Sequence, residues 1–344
     1  MKKDIKDFKL EELEKILVSR RFSIFSAKQI FTWIYKKHTK DFAKMTDLSL
    51  DLRRFLDENF YIQGLNLRKS QRSSDRTEKY LFELKDKALI EAVLIPTQKR
   101  ATGCLSTQVG CKFSCRFCAS GLLGFKRNLN CGEIVEEALW LKEKSSYTDL
   151  THIVFMGIGE PLDNYDNLIK AIRIINSKYG LNIGARRITI STCGIIPAME
   201  RLMEEGLQVE LSISLHAADD ELRAKIMPIN KVYPLEELLN ACQRYIKRTN
   251  RLITFEYLLM EGINSDLPNA KKLVKILKDL RLYKVNLIMA NPVEEYRIKP
   301  PEKEEAIKFK NYLLSCKINT TLRRPRGQDI QAACGQLRLR YEKD

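Results

Sequence analysis

The sequence contains few histidines and no long apolar run. Among its 344 residues are only 3 histidines, His38, His152 and His216, and none forms the closely spaced pair that completes many zinc sites. No apolar stretch reaches the roughly 18 residues that a membrane span needs. The charged N-terminus also lacks the apolar core of a signal peptide. We therefore expect a cytoplasmic protein without a membrane partner.

Acidic residues are outnumbered by basic ones. The sequence has 60 Lys and Arg against 44 Asp and Glu, a formal net charge of +16. Such a charge favours binding to a polyanionic partner, and the affinity of that binding falls as the salt concentration rises. Charge alone leaves RNA or DNA binding open, because Lys-rich surfaces also occur in enzymes that bind no nucleic acid. Local basic groups are Arg53-Arg54, Arg186-Arg187, Arg323-Arg324-Pro325-Arg326 and Arg338 with Arg340.

Three of the 9 cysteines stand close together, in a C-x3-C-x2-C motif formed by Cys111, Cys115 and Cys118. Without a signal peptide, an odd number of cysteines favours a reducing compartment, where thiols bind metals or react. Thiolates this close favour a soft metal or an iron–sulfur cluster. Three protein ligands on a four-iron cluster leave one iron open, as in catalytic metal sites. The alternatives are a zinc site or buried structural cysteines.

The hydrophobic pattern predicts an α/β fold in three parts. Residues 1–62 show helical spacing and form an N-terminal helical accessory domain, and residues 63–98 form a β-hairpin extension from strands 77–84 and 88–95. In residues 99–344, six strands alternate with six helices, which favours a parallel sheet covered by helices. The predicted strands are 102–108, 151–156, 187–191, 208–214, 252–259 and 284–289. The predicted helices are 131–144, 164–178, 195–205, 235–248, 267–280 and 302–315.

Polar residues and glycines follow the predicted strands, where parallel α/β sheets place their ligands. They are the run from Gly157 through Gly159 and Glu160 to Pro161, then Ser191, then Ser214-Leu215-His216, and finally Asn291. Taken alone, each one is better explained as a hydrogen-bonded strand end or a tight turn.

Together, the cysteine motif, the Gly-Glu-Pro run and the six strand–helix units resemble the radical S-adenosylmethionine (SAM) superfamily. The resemblance implies a partial (β/α)6 barrel and a 4Fe-4S cluster held by Cys111, Cys115 and Cys118. SAM would then bind the fourth iron. The resemblance also implies that SAM is contacted by Gly159, Glu160, Ser191, Ser214, Leu215, His216 and Asn291.

A further motif surrounds Cys334, in the segment from Arg326 to Leu337. Small neighbours would leave this thiol accessible and nearby arginines would favour its thiolate, although a lone cysteine is more often a small buried apolar residue. The segment resembles the C-terminal motif of the adenine-C2 RNA methyltransferases, the RlmN family. The stretches 104–111, 121–129 and 227–230 and the residue Glu91 are also similar to that family.

This second resemblance implies a two-stage reaction that uses two SAM molecules per turnover. Adenine C2 is electron-poor and does not attack the methyl group of SAM directly. The resemblance implies that Cys334 is methylated first, and that a 5′-deoxyadenosyl radical then activates this methyl group for addition to C2. Cys104 would resolve the adduct and form a disulfide with Cys334, and Glu91 would handle the proton.

The implied partners are RNA and a protein electron donor such as flavodoxin or ferredoxin. The implied substrates are an adenosine of 23S rRNA near the peptidyl transferase centre and the adenosine 3′ of the tRNA anticodon. A monomer is expected. Alternatives are the sister adenine-C8 methyltransferase that confers antibiotic resistance, a non-enzymatic iron–sulfur RNA-binding protein and a radical peptide-maturation enzyme. Pro161 favours the C2 enzyme, because the C8 enzymes carry alanine after the Gly-Glu pair.

Overall fold

A computed structural model describes residues 2–122, 124–145, 148–293 and 298–337. Its strands are β1 (Lys3–Asp4), β2 (Phe60–Tyr61), β3 (Asn66–Arg72), β4 (Glu78–Glu83), β5 (Leu89–Pro96), β6 (Ala101–Cys104), β7 (Gln108–Val109), β8 (Arg127–Asn128), β9 (Leu150–Phe155), β10 (Ile188–Thr192), β11 (Glu210–Ser214), β12 (Ile253–Leu259), β13 (Tyr283–Met289) and β14 (Thr320–Arg323). Its α-helices are α1 (Leu10–Ser19), α2 (Phe25–Tyr35), α3 (Leu50–Asn59), α4 (Cys131–Lys144), α5 (Tyr165–Asn176), α6 (Ile196–Glu204), α7 (Asp220–Ile226), α8 (Leu235–Thr249), α9 (Leu267–Leu277) and α10 (Lys303–Ser315).

The fold is built on one sheet of ten strands in the order β14-β13-β12-β11-β10-β9-β6-β5-β4-β3. From β6 to β14 every neighbouring pair is parallel. From β3 to β6 the pairs are antiparallel. Two edge strands, β3 and β14, therefore remain, and the parallel part is the expected partial barrel rather than a closed one.

Burial explains why the parallel strands are so apolar. All seven residues of β12 are buried, because helices cover the outside of the sheet and the inner face lines the core. Helix α4 begins where the side chain of Asn130 accepts a hydrogen bond from the backbone N–H of Glu133. The Glu133 carboxylate accepts one from Asn130 in return. This reciprocal capping satisfies two backbone donors at the helix start.

The six predicted strand–helix units are present, with three differences. Predicted strand 102–108 ends at Cys104, because the backbone turns so that Thr107 donates to the carbonyl of Ile158 and Ser106 to the carboxylate of Glu137. Helix α7 and strand β14 were not predicted. The predicted hairpin is present as β4 and β5, and β3 extends it by one strand.

The N-terminal module packs on helix α4 through buried polar contacts. The ammonium of Lys6 is fully buried and pairs with the carboxylate of Glu136. The carboxylate of Asp7 accepts a 2.7 Å hydrogen bond from the backbone N–H of Gly132, at the start of α4, where a negative charge is favourable. These contacts hold the module against the barrel. Among the described residues, no helix is both long and apolar enough to cross a membrane.

Candidate active site

A cavity that opens to solvent lies at the carboxyl ends of the parallel strands. Its lining includes the three cysteines of the motif and residues that follow β9, β10 and β11. Among the lining residues are Cys111, Phe113, Cys115, Phe117, Cys118, Gly159, Glu160, Ser191, Ser214, His216 and Cys334. The topology therefore brings together residues from distant parts of the sequence, including the C-terminal Cys334.

The three cysteines occupy a loop that backbone hydrogen bonds hold in place. Cys118 donates to the carbonyl of Cys115 at 3.0 Å, and Arg116 donates to the carbonyl of Ile226 at 2.9 Å. Ala119 donates to the carbonyl of Gly335 at 2.8 Å. The loop is thus tied both to helix α7 and to the C-terminal segment.

The three thiols fit an iron–sulfur cluster chemically. Burial raises the pKa of Cys111 to about 12, and burial also raises the pKa of Cys115 and Cys118 above the ordinary thiol value. Three thiolates this close need a cationic group to stabilise them. In the described part of the chain, no three His, Cys, Asp or Glu side chains converge on a single metal ion. Cluster ligands bind separate irons and need no such convergence.

Glu160 presents a buried carboxylate to the same cavity. Its oxygens accept hydrogen bonds from the backbone N–H groups of Cys193 at 2.8 Å and Leu162 at 3.0 Å. Burial raises its pKa. The preceding Gly159 has φ +102°, and a Cβ there would lie 2.5 Å from the Cβ of Gln108. Only glycine fits this turn, which aims Glu160 at the cavity.

His216 lies against Phe117 of the cysteine loop, with ring centroids 4.6 Å apart in an edge-to-face arrangement. Its Nδ1 accepts a 3.0 Å hydrogen bond from the backbone N–H of Leu258. Burial, with the nearby Arg223, lowers the pKa of His216 to about 3. The imidazole is therefore neutral and gives the cavity wall an aromatic, uncharged surface.

Two residues predicted to contact SAM lie elsewhere. The side chain of Leu215 is fully buried in the main core, and its carbonyl accepts a hydrogen bond from Arg223. Asn291 lines a second, small cavity next to the first. Its amide nitrogen donates to the carbonyl of Cys334 at 3.0 Å, and its amide oxygen accepts from Gln328 at 2.8 Å. In this structure Asn291 holds the C-terminal segment.

The C-terminal segment is fastened at both ends. On one side, Asp329 accepts from the hydroxyl and backbone of the Ser73–Ser74 turn, and Gly327 donates to Asp75 at 3.1 Å. On the other side, the Ser120 hydroxyl donates to the carbonyl of Leu337 at 3.1 Å. Cys334 is therefore suspended between the β-hairpin extension and the cysteine loop.

Cys334 and Cys104 both line the second cavity and are free thiols in this structure. Burial, with a smaller contribution from Cys334, raises the pKa of Cys104 to about 12, whereas Arg323 opposes this change. Arg323, at the end of β14, lines the cavity as well. Its own pKa is raised, first by Cys334 and also by Glu256 and Cys104. The Arg323 guanidinium therefore interacts electrostatically with both Cys334 and Cys104.

Glu91 lies on β5 and is buried. Its carboxylate is 3.4 Å from the ammonium of Lys79 on β4. Lys79 also donates to the carbonyl of Gln331 at 3.3 Å, three residues before Cys334. Glu91 is thus linked to the C-terminal segment through one lysine.

Sequence reasoning missed two buried cations near the site, Lys79 and Arg223. Arg223 is fully buried and donates to the backbone carbonyls of Cys193, Ser214 and Leu215, which binds strand ends together. Its only sequence signal was its place just before the family-like stretch 227–230. Arg338, Arg340 and Leu123 lie outside the described residues.

Comparisons with known proteins agree with this architecture. A model described as "Radical SAM superfamily" matches residues 105–288, and a model described as "Ribosomal RNA large subunit methyltransferase N-terminal domain" matches residues 3–62.

Known proteins are similar to this chain along its full length. The chain is 48% identical over 342 residues, 99% of each chain, to a protein of Caldanaerobacter subterraneus named "Probable dual-specificity RNA methyltransferase RlmN". It is 46% identical to the protein of the same name from Staphylococcus carnosus, covering 98% of this chain and 93% of that one. A crystal structure of a radical SAM methyltransferase from Sphaerobacter thermophilus aligns with TM-score 0.93 at 40% identity, covering 98% of this chain and 99% of that one. The chain therefore belongs to the radical SAM superfamily and, within it, to the RlmN family of RNA methyltransferases.

Proposed function

We propose that the chain methylates C2 of adenine in 23S rRNA and in tRNA. The observation that carries this proposal is the position of Cys334, which lines both the cavity of the three cysteines and the adjoining cavity of Cys104. A thiol shared by two cavities is suited to receive a group in one and deliver it in the other.

The cofactors belong to the first cavity. Cys111, Cys115 and Cys118 would hold a 4Fe-4S cluster. Glu160, which the turn at Gly159 aims at the cavity, would accept a hydrogen bond from the amino group of SAM. Ser191 and Ser214 line the same cavity. When bound, the cluster and SAM supply a methyl group and, after reduction, a group that abstracts hydrogen. Two SAM molecules are used in each turnover.

Cys334 is the methyl carrier. Its sulfur displaces S-adenosylhomocysteine from the methyl group of SAM and becomes a thioether, and the thiol proton passes to water. Arg323 lines one cavity together with Cys334 and interacts electrostatically with its sulfur. A carrier is needed since adenine C2 lies between two ring nitrogens and is a poor nucleophile.

Cys104 releases the product. After hydrogen abstraction from the methyl group, the carried carbon bonds to C2, and the adduct loses the C2 proton and one electron, which the oxidised cluster would accept. The Cys104 thiolate then attacks the sulfur of Cys334. The new S–S bond replaces the bond between that sulfur and the carbon, which leaves with its electron pair and takes a proton. The resulting disulfide is then reduced by a thiol reductant of the cell. Glu91 is the candidate acceptor of the C2 proton, with Lys79 fixing its position.

The rest of the chain would handle RNA. We propose a division into an N-terminal helical accessory domain (1–62), a β-hairpin extension (63–98) and a radical SAM domain (99–344), working as a cytoplasmic monomer. The target base must leave its stack to reach an interior cavity. The net charge of +16 would hold the surrounding phosphates.

The proposal is tested by anaerobic reconstitution with iron, sulfide and SAM, followed by addition of tRNA and of a 23S rRNA fragment. Mass spectrometry should find one added CH2 unit on the Cys334 peptide and 2-methyladenosine in the digested RNA. Cys334→Ser should lose both, whereas Cys316→Ser, at the end of helix α10 and outside the lining of both cavities, should keep both. Detection of 8-methyladenosine instead would identify the sister activity, and an unmodified Cys334 peptide would overturn the carrier role.

A further inference from the structure

The cysteine loop has two faces with different exposure. Cys111, Phe113, Cys115 and Phe117 line the cavity, whereas the intervening Lys112, Ser114 and Arg116 are exposed. Lining and exposed residues thus alternate along the loop, which forms one wall of the cavity. We call its solvent side the outer loop surface and include the nearby exposed residues. Its members are Lys112, Ser114, Arg116, Leu122, Phe125 and Lys126.

The outer loop surface is fixed in place. Arg116 is tied to Ile226 through its backbone, and Gly124 donates to the carbonyl of Gly121 at 3.1 Å. Lys126 donates from its backbone to the carbonyl of Val109 at 2.9 Å, which joins this stretch to β7. A surface anchored at several points can dock a partner without a large ordering cost.

This surface combines positive charge with exposed apolar side chains. Lys112, Arg116 and Lys126 provide three cations, and Asp163, paired with Lys112 at 2.5 Å, provides one carboxylate. Phe125 and Leu122 are 39% and 37% exposed. The ammonium of Lys112 lies 5.7 Å and 5.8 Å from the ring centroids of Phe113 and Phe125. Aromatic side chains ringed by charge are typical of protein interfaces.

Resting on the proposed function, which consumes an electron from outside the chain, we propose that the outer loop surface docks a flavodoxin-type electron carrier. The carrier would place its acidic surface against the three cations and its exposed flavin edge against Phe125 and Leu122. One electron passes from the reduced flavin through the wall to the cluster. The flavin is oxidised by one electron, the cluster is reduced by one, and no bond on this chain breaks.

RNA is the competing occupant of a basic surface. A target base must reach Cys334, and the second cavity already has its own cations, Arg323 and Arg326. None of the six residues of the outer loop surface lines either cavity. Lys112, Ser114 and Arg116 are chain neighbours of the cluster ligands Cys111 and Cys115, which suits electron entry rather than base entry.

The test compares two double variants of the reconstituted holoenzyme. Arg116→Glu with Lys126→Glu reverses charge on the outer loop surface, and Lys271→Glu with Lys308→Glu reverses two exposed charges on the outer helices α9 and α10. Titration with oxidised flavodoxin measures its dissociation constant. We expect the first pair to weaken binding at least about tenfold at low salt, and the control pair to leave it near that of the unaltered enzyme, since rim charges steer association locally.

A third variant, Phe125→Ala, should weaken flavodoxin binding without altering its salt dependence. Product formation driven by dithionite should be unaffected in the charge variants, because a small reductant needs no docking surface. If dithionite yields no 2-methyladenosine in the unaltered enzyme, the proposed function fails and the binding result still stands alone. The docking proposal is overturned if the first pair binds flavodoxin normally. It is also overturned if that pair loses tRNA affinity instead, or if only a ferredoxin shows the charge effect.

Discussion

The side-chain amide of Asn291 donates a 3.0 Å hydrogen bond to the backbone carbonyl of Cys334. Asn291 follows β13, whereas Cys334 lies on a segment that begins after β14. The bond thus joins the edge of the barrel to the residue that bridges its two cavities. It fixes where the reactive sulfur lies before any substrate arrives.

Removing this tether should impair the loading of Cys334. Asn291→Ala leaves the carbonyl of Cys334 and the side chain of Gln328 without their hydrogen-bonding partner. The lost hydrogen bonds destabilise the folded position of the C-terminal segment by about 1–3 kcal/mol. We expect slower appearance of methylated Cys334 in single-turnover mass spectrometry, with cluster content unchanged. Gln328→Ala keeps the bond to Cys334 and should have a smaller effect. Equal effects of both variants would argue against the tether.

Arg323 should control the reactivity of Cys104. Its guanidinium opposes the rise that burial causes in the pKa of this thiol, so Arg323→Met should raise that pKa further, and alkylation of Cys104 should slow by about tenfold for each pKa unit involved. Iodoacetamide labelling of the apoprotein, read peptide by peptide, measures this directly. The exposed neighbour Arg324 offers the control Arg324→Met. Labelling at the same rate in both variants would remove Arg323 from the activation of Cys104.

His216 should make the stability of the apoprotein depend on pH. Its pKa is about 3 in the folded chain and near 6.5 when unfolded, so between these values the unfolded state binds more protons. The neutral imidazole therefore makes its full contribution to the free energy of unfolding above pH 6.5, and this contribution is lost as the pH falls towards 3. At pH 5 the loss is about 2 kcal/mol.

Urea unfolding at pH 5 and pH 7.5 checks this expectation. His216→Gln should reduce the difference between the two free energies of unfolding by about that amount. His38→Gln, in the N-terminal module, should retain the full difference. An unchanged difference in His216→Gln would mean that other groups cause the acid sensitivity.

The cluster ligands can be tested through colour and composition. Cys111→Ala removes one of three thiolates, so the anaerobically reconstituted protein should lose its brown absorbance and most of its iron and sulfide. Cys242→Ala alters a buried cysteine of helix α8 and should keep all three. Full cluster content in Cys111→Ala would contradict the ligand assignment.

The sequence predicted the elements whose signals are local. Helix α4 was predicted at its observed bounds, because the apolar spacing that signals it acts within a few residues. Strand β14 was missed, since Thr320–Arg323 is short and polar and becomes a strand only by pairing with β13.

The same limit applies inside the site. One cavity is lined by Cys111, Cys115, Cys118 and Glu160. Their meeting there was expected, because parallel α/β sheets bind ligands at the carboxyl ends of their strands. Asn291 follows the same rule but contacts a residue 43 positions downstream, and nothing in its neighbourhood indicates this partner. Buried cations such as Arg223 are likewise visible only once the fold brings them beside the strand ends.

The central claim is that the methyl group passes to RNA through a covalent bond to Cys334. The most direct measurement incubates anaerobic Cys104→Ala holoenzyme with SAM, reductant and tRNA, then separates the products on a denaturing gel. Without the resolving thiol, we predict an RNA–protein adduct that mass spectrometry maps to Cys334, and the double variant with Cys334→Ser should give none. Release of free 2-methyladenosine-containing tRNA at the rate of the unaltered enzyme would contradict the account.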